Sequence, residues 1–201
     1  MTRLISLFLV LLFSTHTFAQ AQTLLVLGDS LSAGYNMELE QSWPTLLPKS
    51  LEKHDHSVEV INGSISGDTT GNGLARLPQL LSEHSPNVVL IELGANDGLR
   101  GFPPKLIESN LQQIIHQVEQ SGAKAVLMQI RIPPNYGKRY NQMFENVFPS
   151  IADQTSTPLI PFFLEQIILK DEWMMSDGLH PEPEAQPWIA DFVAEKLYQY
   201  L

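Results

Sequence analysis

Leu24-Leu25-Val26-Leu27-Gly28-Asp29-Ser30 is an unbroken aliphatic run that ends in a Gly-Asp-Ser turn. Consecutive Leu and Val closed by a glycine read as a strand buried on both faces, as in parallel sheets. The residues that follow, Ser30-Leu31-Ser32-Ala33-Gly34-Tyr35, read as the start of a helix with Asp29 or Ser30 near its N-terminus. There, unpaired backbone N–H groups favour negative charge. A hydroxyl held in that place can act as a nucleophile beside an oxyanion donor. It can equally be a helix cap, a frequent use of both Ser and Asp. The heptapeptide alone does not separate the two.

Working outward, four more apolar segments follow the same plan: Val58–Asn62, Val88–Leu93, Lys124–Ile130 and the short Pro158–Pro161. Between them lie helical stretches: Ser42 to Lys53 with Ser42 as cap, Leu74 to Glu83, Pro103-Pro104 to Gln120, and Tyr140 to Thr155. A last helix runs from about Pro183 to Tyr200. In the third of these, Leu106, Ile107, Leu111, Ile114, Ile115 and Val118 recur at helical spacing and mark one buried face. Strands alternating with helices give an α/β fold, with right-handed crossovers and helices on both faces of a parallel sheet. Ligands in such sheets bind beyond the carboxyl ends of the strands, where strand order reverses. With order 2-1-3-4-5 the reversal lies between the first and third strands. Ser30 then faces Asn96 of Gly94-Ala95-Asn96-Asp97-Gly98 across a crevice.

The 201 residues, 43% of them hydrophobic, suit one globular domain. Residues 1–21 stand apart from it. Met1-Thr2-Arg3, an apolar run from Leu4 to Phe13 and the small-x-small Ala19-Gln20-Ala21 form the pattern of a signal peptide cleaved after Ala19 or Ala21. This places the domain at 22–201 and the mature protein in the periplasm, with no stable membrane insertion, since the run is too short to span a bilayer. Arg3 is the only charged residue before Gln22, so cleavage takes the net charge from −10 to −11. An acidic chain of this kind repels nucleic acid. With no cysteine, thiol nucleophiles and thiolate metal sites are excluded. His54-Asp55-His56 has metal-like spacing, but its polar flanks read as solvated surface.

A hydroxyl nucleophile needs a base, and the base needs an orienting acceptor. Of the six histidines, His180 alone lies in a Gly- and Pro-bounded loop, Asp177-Gly178-Leu179-His180-Pro181, with a carboxylate three residues away. Asp177 can fold back to one ring nitrogen and leave the other for Ser30, while Asp29 and Asp97 are rival carboxylates. The same loop also fits a plain Asx turn.

Taken together, Gly28-Asp29-Ser30-Leu31, Gly67 within Ser64-Ile65-Ser66-Gly67-Asp68-Thr69, Gly94-Ala95-Asn96-Asp97 and Asp177-Gly178-Leu179-His180 resemble the conserved blocks of the GDSL, or SGNH, hydrolases, in the right order across nearly the whole mature chain. Ala95 stands where close relatives often carry glycine. The resemblance implies a three-layer α/β/α fold with a five-stranded parallel sheet of flavodoxin-like order 2-1-3-4-5. It implies Ser30 as nucleophile, His180 as base and then acid, Asp177 orienting His180, and an oxyanion hole from Ser30, Gly67 and Asn96. It also implies a mobile loop over an acyl groove at Asp97 to Phe102, with Leu99, Phe102, Ile132 and Tyr136 as acyl neighbours. The activity implied is hydrolysis of small-molecule acyl thioesters, lysophospholipids and aryl or alkyl esters by a monomer with no metal or organic cofactor. Two rivals stay open. A carbohydrate acetyl esterase keeps the same blocks, and a flavodoxin-like protein could hold an anion at the Asp29-Ser30 turn without chemistry, although the chain lacks the usual glycine pattern of nucleotide loops.

Overall fold

A computed structural model describes residues 22–201. The expected leader, 1–21, lies outside the described residues. Five strands, β1 (Gln22–Gly28), β2 (Val58–Asn62), β3 (Val88–Glu92), β4 (Lys124–Met128) and β5 (Leu159–Ile160), form one sheet in the order β2-β1-β3-β4-β5. All neighbours are parallel, and Leu24 pairs with Val60 on one side and Val88 on the other. The aliphatic residues Leu24–Leu27 of β1 and Val89–Ile91 of β3 have no exposed surface. That burial is why these strands read as solid apolar runs rather than alternating ones.

The layers follow from the order of the strands. Passing from β1 to β2 moves one way across the sheet, and each later crossover moves the other way. Right-handed connections therefore put the first helix on one face and the following ones on the opposite face. Accordingly α1 (Trp43–Glu52) packs with α8 (Gln186–Leu197). On the other side α4 (Pro104–Gln120) packs between α2 (Thr70–His84) and α6 (Val147–Thr155). No helix among the described residues is long and apolar enough to cross a membrane.

Several expected boundaries move, each for a local reason. Residues 30–36 form consecutive turns instead of a helix, because Gly34 and Asn36 take positive φ and break the helical path. The second helix starts at Thr70, four residues earlier than Leu74. Thr69 caps it, accepting from the Asn72 N–H. The stretch from Tyr140 to Thr155 is two helices, α5 (Lys138–Glu145) and α6. Pro149 has no N–H to offer Glu145, whose carbonyl accepts from Gln129 Nε2 at 3.3 Å instead. The strands β4 and β5 are shorter than expected, and the apolar segment after β5 carries a short helix, α7 (Leu164–Ile167). The final helix keeps its regular part at Gln186–Leu197, with 3-10 turns at either end.

Candidate active site

Ser30, Asn96 and His180 meet at the carboxyl edge of the sheet, on either side of the reversal between β1 and β3. Ser30 follows β1, Asn96 lies in the short helix α3 (Ala95–Leu99) after β3, and His180 arrives from the loop before α8. The Ser30 hydroxyl lies 2.8 Å from His180 Nε2, and His180 Nδ1 lies 2.6 Å from Asp177 Oδ2. With the proton on Nδ1, the ring donates to Asp177 and accepts from Ser30. The other Asp177 oxygen accepts the N–H groups of Leu179 and His180 at 2.8 and 3.0 Å. Burial alone would raise the Asp177 carboxyl. The His180 ring and the two N–H donors outweigh it and hold the group below the usual carboxylate range. Asp177 is thus an anion built to face an imidazole. Tyr35 stacks on the other face of that ring region, 4.1 Å between centroids.

The rival carboxylates are occupied elsewhere. Asp97 is fully buried and accepts from the Thr70 N–H at 2.8 Å and Thr70 Oγ1 at 2.6 Å. Asp29 accepts from the Leu31 N–H at 3.1 Å and from Asn96 Nδ2 at 3.1 Å. Burial pushes the Asp29 carboxyl up to about 7, against which its bonds to Leu31 and Asn96 pull down. Beneath it lies Glu92, also fully buried. One of its oxygens accepts from Ser32 Oγ at 2.7 Å, while Oε1 has no partner. Desolvation, then the nearby Asp29 charge, raises Glu92 well above an ordinary glutamate. Glu92 is also the reason for Gly28: a Cβ there would stand 2.8 Å from Glu92 Oε2 and 2.9 Å from both Ser32 Oγ and Ser64 Oγ.

Among the described residues, the Ser30 and Gly67 N–H groups have no hydrogen-bond acceptor, so both are available to a ligand oxygen. Gly67 holds φ +85°, a backbone region that side chains disfavour. The Asn96 amide differs: its Nδ2 already donates to Asp29 Oδ2 and to the Asp68 carbonyl, the latter at 3.0 Å. It reaches a third oxygen only by sharing a proton or by releasing one of these two.

Ser30, Asn96 and His180 open onto a cavity of about 270 Å³. Leu99 and Ile132 line it as expected. Phe102 and Tyr136 do not: Phe102 turns into the core, its carbonyl accepting from Tyr140 Oη at 2.7 Å, and Tyr136 sits in the outward-facing 3-10 turn Pro134–Tyr136. The sequence reading missed Phe162, Leu164 and Ile168, which complete the wall. The sequence signal there is only the apolar character of the stretch from Phe162 to Leu169, which suits core and cavity wall alike. Arg131 and Glu165, 2.5 Å apart, form an ion pair at the same wall. The segment from Asp97 to Phe102 begins within α3, and its first residue accepts from the Thr70 N–H and hydroxyl. His54 and His56 lie against Tyr198, His54 stacked at 4.5 Å. No group of three or more His, Cys, Asp or Glu among the described residues is placed to hold a metal ion.

The model of the GDSL-like lipase/acylhydrolase family matches residues 26–186. An arylesterase of Vibrio mimicus is 64% identical over the whole length of both chains. The thioesterase 1/protease 1/lysophospholipase L1 of Escherichia coli strain K12 is 53% identical, over 95% of this chain and 89% of its own. Among solved structures, the psychrotrophic esterase EstA of a Pseudoalteromonas species, inhibited by monoethylphosphonate, superposes with a TM-score of 0.86. It is 43% identical, over 89% of this chain and 98% of its own. Sheet order, crevice and sequence agree: this chain is an enzyme, a hydrolase that belongs to the GDSL-like lipase/acylhydrolase family.

Proposed function

We propose that the protein hydrolyses carboxylic esters and thioesters bearing a medium or long acyl chain, through a covalent acyl-serine. The observation that carries this reading is the hydrogen-bonded series Ser30–His180–Asp177 at the mouth of an apolar cavity. His180 Nε2 takes the Ser30 proton as Oγ attacks the acyl carbonyl, while Asp177 stabilises the imidazolium that forms. The carbonyl oxygen becomes an anion and is met by the Ser30 and Gly67 N–H groups and by a proton of the Asn96 amide. His180 then gives its proton to the departing thiol or alcohol. A water molecule, deprotonated by His180, attacks the acyl-serine and releases the carboxylic acid and a regenerated hydroxyl.

The acyl-chain assignment rests on the cavity. Its apolar wall of Leu99, Ile132, Phe162 and Leu164 extends beyond what an acetyl group fills, and its volume lies near the lower end of the roughly 300–1,000 Å³ typical of small-molecule sites. This favours acyl chains over the acetyl-only substrates of carbohydrate esterases. The names of the relatives support ester and thioester substrates. The pattern of residues 1–21 supports export to the periplasm, which the intact mass of the exported chain tests directly.

The test is Ser30→Ala. Labelling by a fluorophosphonate probe is lost, and turnover of a chromogenic acyl ester falls by about 10⁴-fold or more. Near-normal turnover in this variant overturns the mechanism. Absent labelling of the unmodified protein, combined with tight phosphate binding, favours the anion-binding rival.

A further inference from the structure

We infer that Arg76 is the positioning residue of the oxyanion pocket, holding the Gly67 loop in place against the nucleophile turn. This rests on the reading above that Ser30, Gly67 and Asn96 meet the substrate oxygen. Arg76 lies in α2, beyond the loop that carries Gly67. Its guanidinium reaches two segments, the end of β1 and the loop between β2 and α2, through three acceptors. Nε donates to Asp68 Oδ2 at 2.6 Å, Nη2 to the carbonyl of Gly28 at 3.2 Å, and Nη1 to the carbonyl of Gly63. Both charged partners are largely shielded, with side chains 18% and 12% exposed. A lysine presents one point of donation, whereas the planar fork of arginine serves several acceptors at fixed angles.

Each segment it grips carries or supports one of the proposed donors. Gly28 stands two residues before Ser30. Asp68 directly follows Gly67, and the Asp68 carbonyl accepts from Asn96 Nδ2 at 3.0 Å. The strand exits already have ties of their own, since Gly63 N–H donates to Val26 and Ile65 N–H to Gly28. Residues 66–68, by contrast, make no backbone hydrogen bond to a strand. Asp68 N–H donates to the Ile65 carbonyl at 3.1 Å, and the exposed Arg100 donates to the Gly67 carbonyl at 3.0 Å. Removing Arg76 therefore loosens the Gly67 donor more than it loosens the sheet. A misplacement of roughly 1 Å is enough to cost about 100-fold in rate. The two outcomes differ in kind: a clamp that serves stability alone lowers the melting temperature, and a clamp that aims donors lowers kcat and the affinity for a tetrahedral adduct together.

The experiment compares Arg76→Ala, Arg76→Lys and Asp68→Asn with Asn96→Ala as the benchmark, using a soluble chromogenic ester and an alkyl trifluoromethyl ketone, which forms a tetrahedral adduct with serine. In Arg76→Ala, kcat is expected to fall about 10- to 100-fold with KM within about threefold, and ketone affinity to weaken by the same factor. Millimolar guanidinium restores part of kcat in Arg76→Ala and none in Asn96→Ala. Arg76→Lys lies between Arg76→Ala and the unmodified protein. Unchanged kcat in folded Arg76→Ala, or a loss of kcat without loss of ketone affinity, overturns the proposal. Should Arg76→Ala not fold, Asp68→Asn decides: a fall in kcat with a matching loss of ketone affinity supports the role, and unchanged values of both overturn it. If Asn96→Ala itself leaves kcat and ketone affinity intact, the oxyanion assignment fails, a result distinct from failure of Arg76 alone.

Discussion

At the level of single residues, three acids near Ser30 and Asn96 are set apart by their surroundings. Asp177 faces an imidazole and two N–H groups and stays ionised. Asp177→Asn keeps the shape but stabilises the wrong imidazole tautomer, and kcat is expected to fall by about 10³- to 10⁴-fold, read from ester hydrolysis at pH 8. Asp29 and Glu92 behave oppositely, because folding removes both from water. The folded carboxyl of Asp29 holds its proton to about 7 instead of 3.8, and Glu92 is raised in the same direction. Between those values the folded state binds more protons than the unfolded one, so stability is fully present below about pH 4 and is lost as pH rises through 7. For Asp29 the full loss is on the order of 4 kcal/mol, from about 1.4 kcal/mol per pH unit. Glu92→Gln removes one of the two ionisations and is expected to flatten the fall in urea-unfolding free energy as pH rises above 4.5, the ordinary glutamate value. A variant as steep as the unmodified protein in that range contradicts this account.

At the level of elements, α3 is placed by a buried carboxylate and not by its own length. Asp97 anchors it to the start of α2 through the Thr70 N–H and hydroxyl, and Asn96 is the residue next door. Thr70→Val deletes the hydroxyl donor and leaves a buried charge with one partner fewer, at a cost of about 1–3 kcal/mol. The lost bond favoured the ionised form, so the cost is expected to be larger at pH 8 than at pH 5 by urea unfolding. The periodicity of apolar residues made the strands and the long α4 legible in the sequence, as did the convergence of Ser30 with Asn96, because both are set by burial and chain direction. The turns after Ser30 were not legible. A helix start and a series of turns share the same Asp and Ser chemistry, and the positive φ of Asn36 has no sign in the residue pattern. The break between α5 and α6 was written in Pro149 and passed over. Phe102 and Tyr136 were misplaced because an aromatic near a groove can turn into the core or outward, and the choice depends on partners, such as Tyr140, that sequence spacing does not locate.

At the scale of the whole molecule, the sheet divides the labour. Ser30, Gly67 and Asn96 follow β1, β2 and β3, while Ile132 and the Phe162 to Ile168 segment follow β4 and β5. On the proposed reading, bond breaking falls to one half of the carboxyl edge and most of the chain binding to the other, with Leu99 after β3 and His180 from the loop before α8 at the junction. A division of this sort makes acyl length and leaving group separable variables. Each methylene moved from water into the groove is worth about 0.8 kcal/mol, or roughly fourfold in kcat/KM, until the cavity of about 270 Å³ is filled. Within one leaving-group series, kcat/KM is expected to climb by that step with each added carbon and then level off. The plateau is expected at the same acyl length for thioesters and aryl esters, because both deliver the same acyl group to Ser30. Ile168 is the most exposed of the large apolar side chains on the wall, 53% open to solvent. Ile168→Ser therefore removes only part of the roughly 1.5–3 kcal/mol that a fully buried side chain of this size supplies. The ratio of long-chain to acetyl-ester kcat/KM is expected to drop about fivefold. A flat profile from acetyl upward in the unmodified protein places the chain outside this cavity, and a sharp preference for acetyl groups returns the enzyme to the acetyl-esterase alternative.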